Sequence, residues 1–173
     1  MVPLYKPFLD LIPAGGRILD AGCGSGRDSK AFLDRGYSVL SIDASSKMVS
    51  ATTELTGQQA VRLSLQDIKS DSEFDGIWAC ASLLHVPFTE LPDTFFRLAR
   101  ALRPSGVIYA SFKAGTGERQ QGGRLFSDMN ESSIGELLAG IDDLEIAELW
   151  HTGDLRPDHS DKWLNLLLQG RTS

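Results

Sequence analysis

Three glycines at alternate positions, Gly22, Gly24 and Gly26, follow the apolar pair Ile18-Leu19 and the acid Asp20, and lead into the polar residues Arg27-Asp28. Glycines in such a turn take positive φ and let a ligand lie against bare main chain. A helix starting near Arg27 would point unpaired N–H groups at the same ligand. The chemistry on offer is the binding of a small polar cofactor, and the spacing narrows which one. The dinucleotide fingerprint G-x-G-x-x-G needs a glycine where this chain has Arg27, and no G-x-x-x-x-G-K-[ST] phosphate loop occurs. A Rossmann oxidoreductase using NAD is disfavoured on that ground.

The neighbouring segments read as elements able to hold such a turn. Residues 28–35 have the pattern of a helix closed by Gly36, and residues 37–43 that of a strand ending at Asp43. An acid about 20 positions past a glycine loop sits beside the same crevice, where its carboxylate can accept two hydrogen bonds from a ribose diol. Residues 61–65 form a short strand leading to Gln66, Asp67 and Ile68. Residues 74–81 are a continuous apolar run of the kind a buried parallel strand shows, and they empty into Ser82-Leu-Leu-His85. A helix over 91–102 and a strand over 107–112 come next. The connection 113–126 is polar and carries four glycines and three cations, Lys113, Arg119 and Arg124. Long loops of this kind serve as lids or binding loops, and the two arginines are candidate anion contacts. A helix over 129–140, capped by Asn130 or Ser127, precedes strands over 144–150 and 162–168.

The segment Asp20-x-Gly22-x-Gly24-x-Gly26 resembles motif I of the class I S-adenosylmethionine-dependent methyltransferases, and Leu-Arg-Pro-x-Gly before residue 107 is similar to another signature of that family. The resemblance implies an α/β fold, a Rossmann-like three-layer αβα sandwich. Its mostly parallel seven-stranded sheet would have the order 3-2-1-4-5-7-6, with strand 7 reversed, in one domain spanning 1–173. It further implies S-adenosyl-L-methionine as cofactor and S-adenosyl-L-homocysteine as product. Asp20, Gly22, Cys23, Gly24 and Gly26 would form the cofactor loop, with Arg27 and Asp28 near the amino-acid end. Asp43 would take the ribose and Asp67 with Ile68 the adenine, with Ala44, Gln66 and Ala81 also binding the cofactor. A small-molecule acceptor would lie against Ser82, His85, Arg119 and Arg124, with His85 the candidate base where the acceptor must lose a proton. The pieces Gly-Arg-Leu-Phe, Gly-Asp-Leu-Arg-Pro and Lys-Trp-Leu-Asn are similar to a tellurite-resistance-like subgroup of small-molecule enzymes. A non-catalytic cofactor-binding protein of the same fold is the alternative. Members of the family usually begin with helices that close over the cofactor, so the single short amphipathic helix expected before Pro13 implies a short or missing lid. Trp150 and Trp163 are read as core residues, while Asp154 and Arg156 either pair or line the acceptor pocket.

Composition is consistent with one globular domain: 173 residues, 42% hydrophobic and 23% charged. The net charge of -6 and pI near 5.0 argue against a nucleic-acid partner, which calls for a basic face. No apolar run of membrane-spanning length and no signal peptide is evident, so neither membrane attachment nor export is expected. Two cysteines, Cys23 and Cys80, cannot form a disulfide framework, which points to a reduced, cytoplasmic setting. They would approach the same end of the sheet, as separate thiols or as a redox pair. His85, His151 and His159 show no metal-ligand spacing, and no metal is expected. The protein would act as a monomer or homodimer.

Overall fold

A computed structural model describes residues 2–154 and 161–171 of the chain. Helices α1 (Val2–Leu9), α2 (Arg27–Leu33), α3 (Ser46–Thr56), α4 (Leu91–Ala101) and α5 (Glu131–Leu138) surround two sheets. The strands are β1 (Arg17–Ala21), β2 (Ser38–Asp43), β3 (Val61–Arg62), β4 (Phe74–Ala79), β5 (Leu102–Lys113), β6 (Gly117–Gln121), β7 (Arg124–Asp128), β8 (Leu144–Gly153) and β9 (Lys162–Gly170). The main sheet has the order β3-β2-β1-β4-β5-β9-β8. Its first five strands are parallel, and β9 runs antiparallel to both β5 and β8. With the small β6–β7 sheet set aside, this is the expected order with its reversed seventh strand.

Alternation along the central strands builds two cores. Leu19, Ile77, Ile108, Leu166 and Leu168 join α4 and α5 in one cluster, whereas Ile18, Trp78, Tyr109 and Leu167 meet Tyr5, Phe8 and Phe32 of α1 and α2 in the other. Successive side chains of a strand point to opposite faces, so a strand covered on both faces must be apolar throughout. Trp78 anchors the second cluster: it stacks on Tyr109 with centroids 3.9 Å apart and meets Phe32 edge-on at 5.4 Å. The order of strands reverses between β1 and β4. The crevice at their carboxyl ends is where open α/β sheets bind ligands.

Three expectations need correction. The connection 113–126 is not an irregular loop. Most of it is the antiparallel hairpin β6–β7, with Gly122 and Gly123 at φ 60° and 75° in the turn. Two successive left-handed residues suit the twist of a tight hairpin, which the notional loop composition conceals. The strand at 61–65 shortens to Val61–Arg62 and turns at once into a single 3₁₀ turn, Leu65–Asp67. The helix predicted over 129–140 spans only Glu131–Leu138, with Asn130 accepting from the Ser133 amide and the Ser133 hydroxyl accepting from the Asn130 amide. Arg156 and His159 lie outside the described residues.

Candidate active site

The glycine turn is fixed to the sheet from beneath. The amides of Gly22 and Cys23 both donate to the Ile42 carbonyl at 2.9 Å, tying the turn to β2. Asp43 closes it from the side: one carboxylate oxygen accepts from the Gly24 amide at 3.0 Å and the other from the Ser45 amide at 2.8 Å. Thr52 of α3 donates to the Gly24 carbonyl at 2.8 Å. A carboxylate offers about four acceptor positions, so Asp43 keeps lone pairs for a ligand after both bonds.

The glycines differ in what they leave room for. A Cβ on Gly22 would lie 2.4 Å from Ser82 Cβ, and one on Gly26 would lie 3.0 Å from Thr52 Cα, so these two admit neighbouring protein. Only Gly24 faces open space, with φ at +56° and no heavy atom within 4 Å of such a Cβ. Of the three, Gly24 is thus the one whose missing side chain leaves open space, whereas Gly22 and Gly26 are required by their protein neighbours.

A cavity of about 730 Å³ opens above this turn. Gly22, Gly24, Asp43, Ala44, Gln66, Ala81, Ser82, His85 and Arg124 of the expected residues line it, joined by Met48 of α3 and Leu63 and Leu65. Asp20, Cys23, Gly26, Asp28, Asp67, Ile68 and Arg119 are not on its walls. Ile68 is buried in the core against α4's side of the sheet, so Leu65 takes the place foreseen for it. Asp67 is exposed. Lys47 and Met48, at the start of the helix after Asp43, were legible as neighbours of that acid but carry no motif.

Asp20 and Asp28 serve the scaffold instead. Asp20 is buried beneath the turn, where the Ser29 hydroxyl donates to it at 2.5 Å and stands 2.7 Å from the Ser41 hydroxyl. Burial pushes its carboxyl up to about 7, against the lowering effect of Ser29. Asp28 accepts from the Tyr5 hydroxyl at 2.6 Å, from Trp78 Nε1 at 2.8 Å and from Arg27 Nε at 2.7 Å. Burial alone would raise it, yet the bonds from Arg27, Tyr5 and Trp78 hold it below the usual carboxylate range. Both acids are thus closed to a ligand.

A second cavity of about 600 Å³ lies on the far side of β4, walled by Leu4, Leu84, Phe126, Trp163 and the ends of β5, β8 and β9. Trp163, read as core, forms part of this wall, and Arg27 faces it in place of the cofactor crevice. Asp154 lines it too, accepting from Trp163 Nε1 at 3.2 Å. The two cavities share Ala81, His85 and Arg124. Ala81 sits at φ 52° with its amide held by Ser111 Oγ at 2.8 Å, and Ser82 Oγ is buried with no hydrogen-bond partner among the described residues. Positive φ at a residue with a side chain costs energy and concentrates at functional sites. A buried hydroxyl without a partner is equally uncommon. Arg119, foreseen as an anion contact, is bound to Asp128 at 2.6 Å and lies over the Phe126 ring. The two thiols are separate: Cys23 faces the Thr52 hydroxyl and Cys80 the Ser111 hydroxyl. Burial raises them to about 11 and about 12, so both stay protonated.

Residues 19–110 match the family model described as a methyltransferase domain, and the chain belongs to that family. It is 30% identical over 148 residues to YqeM of Bacillus subtilis, which is named as a methyltransferase, covering 78% of this chain and 59% of that protein. It is 32% identical over 126 residues to the ubiquinone biosynthesis O-methyltransferase of Dechloromonas aromatica, covering 62% of this chain and 53% of that one. The chain thus spans little more than half the length of these relatives. Among solved structures, the 1,6-didemethyltoxoflavin N1-methyltransferase of Burkholderia thailandensis superposes with a TM-score of 0.82 at 22% identity, covering 98% of this chain and 77% of that one. A TehB-like S-adenosylmethionine-dependent methyltransferase of Corynebacterium glutamicum gives 0.74 at 20% identity, covering 95% and 86%. At these identities the likeness defines the class I methyltransferase fold and does not single out the tellurite-resistance-like subgroup.

Proposed function

We propose that the chain transfers a methyl group from S-adenosyl-L-methionine to a small-molecule acceptor, releasing S-adenosyl-L-homocysteine. One observation carries this reading: two cavities, each of a size that suits a small ligand, meet at Ala81, His85 and Arg124. The larger suits the cofactor. Gly24 offers bare backbone, Asp43 keeps acceptor positions for a diol, Met48, Leu63 and Leu65 give an apolar wall for a purine, and Ser82 Oγ is an unused donor beside Gly22. When bound, the sulfonium would supply an already activated methyl group for in-line displacement. The chain then has to align the acceptor and keep water out, and no side chain need act as a nucleophile. Ala81 and Ser82 fix the boundary between the two ligands, and the hairpin covers it, with Leu125 on the cofactor side and Phe126 on the acceptor side.

Calorimetric titration tests this. S-adenosylmethionine and S-adenosylhomocysteine should bind and NAD should not. Asp43→Ala, checked for folding by circular dichroism, should weaken binding about tenfold or more, the usual range for losing hydrogen bonds to a charged group. Binding of NAD in place of the sulfur compounds would sink the reading.

A further inference from the structure

His85 Nδ1 lies 2.8 Å from the Leu125 carbonyl oxygen. A carbonyl oxygen can only accept, so Nδ1 carries the proton, and in the neutral ring Nε2 keeps its lone pair. No other hydrogen bond engages the ring among the described residues, and its edge contact with Phe126, centroids 4.9 Å apart, fixes its tilt. A basic nitrogen oriented by a third group and placed where two ligands meet is the arrangement of a general base. A thiolate or a carboxylate acceptor would have no use for it, whereas a hydroxyl acceptor would.

The cations of the acceptor cavity add a second constraint. Arg27 is tied to Asp28, and Lys113 to Asp161 at 2.6 Å. The Arg124 guanidinium has no ion pair or hydrogen bond among the described residues, and the residue stands at the hairpin turn over the junction. An unpaired guanidinium beside an apolar wall matches a carboxylate, which it can hold through two parallel bonds. Leu84, Phe126 and Trp163 give this cavity an apolar, partly aromatic wall suited to a ring, while Ser111, Asp154 and Asn165 line it elsewhere.

We infer that the acceptor is a ring-bearing hydroxy acid, a phenol or enol with a carboxylate, in which His85 takes the hydroxyl proton and Arg124 holds the carboxylate; this rests on the methyl-transfer reading above. The acceptor O–H bond breaks with its proton passing to Nε2 and its electron pair remaining on oxygen. That oxygen bonds the methyl carbon as the carbon–sulfur bond breaks, and the released pair neutralises the sulfonium. The methyl ether and the thioether leave, and the imidazolium gives its proton to water.

Three probes separate the parts: caffeate, its methyl ester and cinnamate, titrated into the chain with S-adenosylhomocysteine present. Caffeate and cinnamate should bind at least about tenfold more tightly than the ester, as expected for one charge-assisted bidentate contact. Arg124→Met should abolish that preference and weaken S-adenosylhomocysteine, whose cavity Arg124 also borders, far less than caffeate. Nitrogen NMR of the histidine-labelled protein should show His85 protonated at Nδ1. His85→Ala should slow methylation of caffeate about a hundredfold to ten-thousandfold, far more than it weakens caffeate binding through the lost hairpin bond, with partial recovery on adding imidazole. Arg124→Met weakening S-adenosylhomocysteine in place of caffeate would overturn the inference, as would an Nε2-protonated ring or undiminished transfer by His85→Ala. Methylation of thiol probes but not of caffeate would overturn the acceptor class and leave methyl transfer standing. Failure of the unsubstituted chain to bind S-adenosylhomocysteine would overturn both.

Discussion

The crevice proposed for the cofactor and the cavity proposed for the acceptor are built by different means. The crevice stands on the carboxyl ends of parallel strands, and its turn is held by β2, Asp43 and Thr52 from three sides. The acceptor cavity is closed by a hairpin that rests on the turn at residues 85–88 through three bonds: His85 to the Leu125 carbonyl, the Phe88 amide to Glu118, and Ser127 Oγ to the Val86 carbonyl. Changes beneath the crevice should therefore act on folding, and changes in the hairpin on acceptor handling. A scaffold that fixes the cofactor and delegates the acceptor to an appended element can change substrate without rebuilding its core.

The largest effect is expected at Asp28, which joins α1, α2 and β4 under the boundary between the cavities. Asp28→Ala leaves the Tyr5 hydroxyl and Trp78 Nε1 without their acceptor and frees Arg27. The cost should be about 3–5 kcal/mol by chemical denaturation, the range for breaking a buried charge network. A cost below 1 kcal/mol would mean that this junction is not structural. The glycines sharpen the contrast within the turn itself. Gly22→Ala drives a Cβ into Ser82 at φ +86°, so about 2–4 kcal/mol of stability should be lost to overpacking and left-handed strain. Gly24→Ala meets only open space, so it should cost about 1–2 kcal/mol and stay folded while losing S-adenosylhomocysteine binding. Equal losses of stability in the two variants would contradict the division of roles.

These residues also mark what was legible in the sequence. Strand order, the turn and Asp43 could be read because parallel strands announce themselves as apolar runs and a glycine turn has few substitutes. The same reading placed Asp20 and Asp28 on the ligand, since a motif records that a polar residue is required and not which way it faces. Leu65 lines the crevice in place of Ile68 because the strand read over 61–65 stops at Arg62, three residues early, and the 3₁₀ turn at Leu65–Asp67 redirects the side chains that follow. The hairpin was hidden by its own composition. Gly122-Gly123 flanked by Arg, Gln and Glu has the polarity of a loop, and the alternation that reveals a strand requires a buried face that β6 lacks.

Asp20 offers a pH test of the buried half. Its carboxyl titrates near 7 in the folded chain and near 3.8 when unfolded, so between these values the native state holds a proton that the unfolded state has released. Its contribution to stability is complete below about pH 4 and is lost as the pH climbs through 7. Between about pH 5 and 8 the loss should be about 2–3 kcal/mol. Asp20→Asn should remove that slope in urea titrations run at both pH values. An unchanged slope would place the titrating group elsewhere.

The smallest effect probes the hairpin. Ser127→Ala removes one buried bond to the Val86 carbonyl and should cost about 1 kcal/mol. The loss bears on a local opening more than on the core, because among the described strands β6 and β7 pair only with each other, and one isolated bridge, Ala114 with Met129, and the bonds to residues 85–88 seat them. Hydrogen exchange at residues 117–128 should therefore quicken several-fold while α2, β1 and β4 keep their protection. Acceptor affinity should fall with it and cofactor affinity should not, although Leu125 and Arg124 border both cavities, since the crevice draws its main contacts from Gly24, Asp43 and α3. If S-adenosylhomocysteine binding weakened as much as acceptor binding, the hairpin would belong to both sites and the separation of fixed and exchangeable halves would fail.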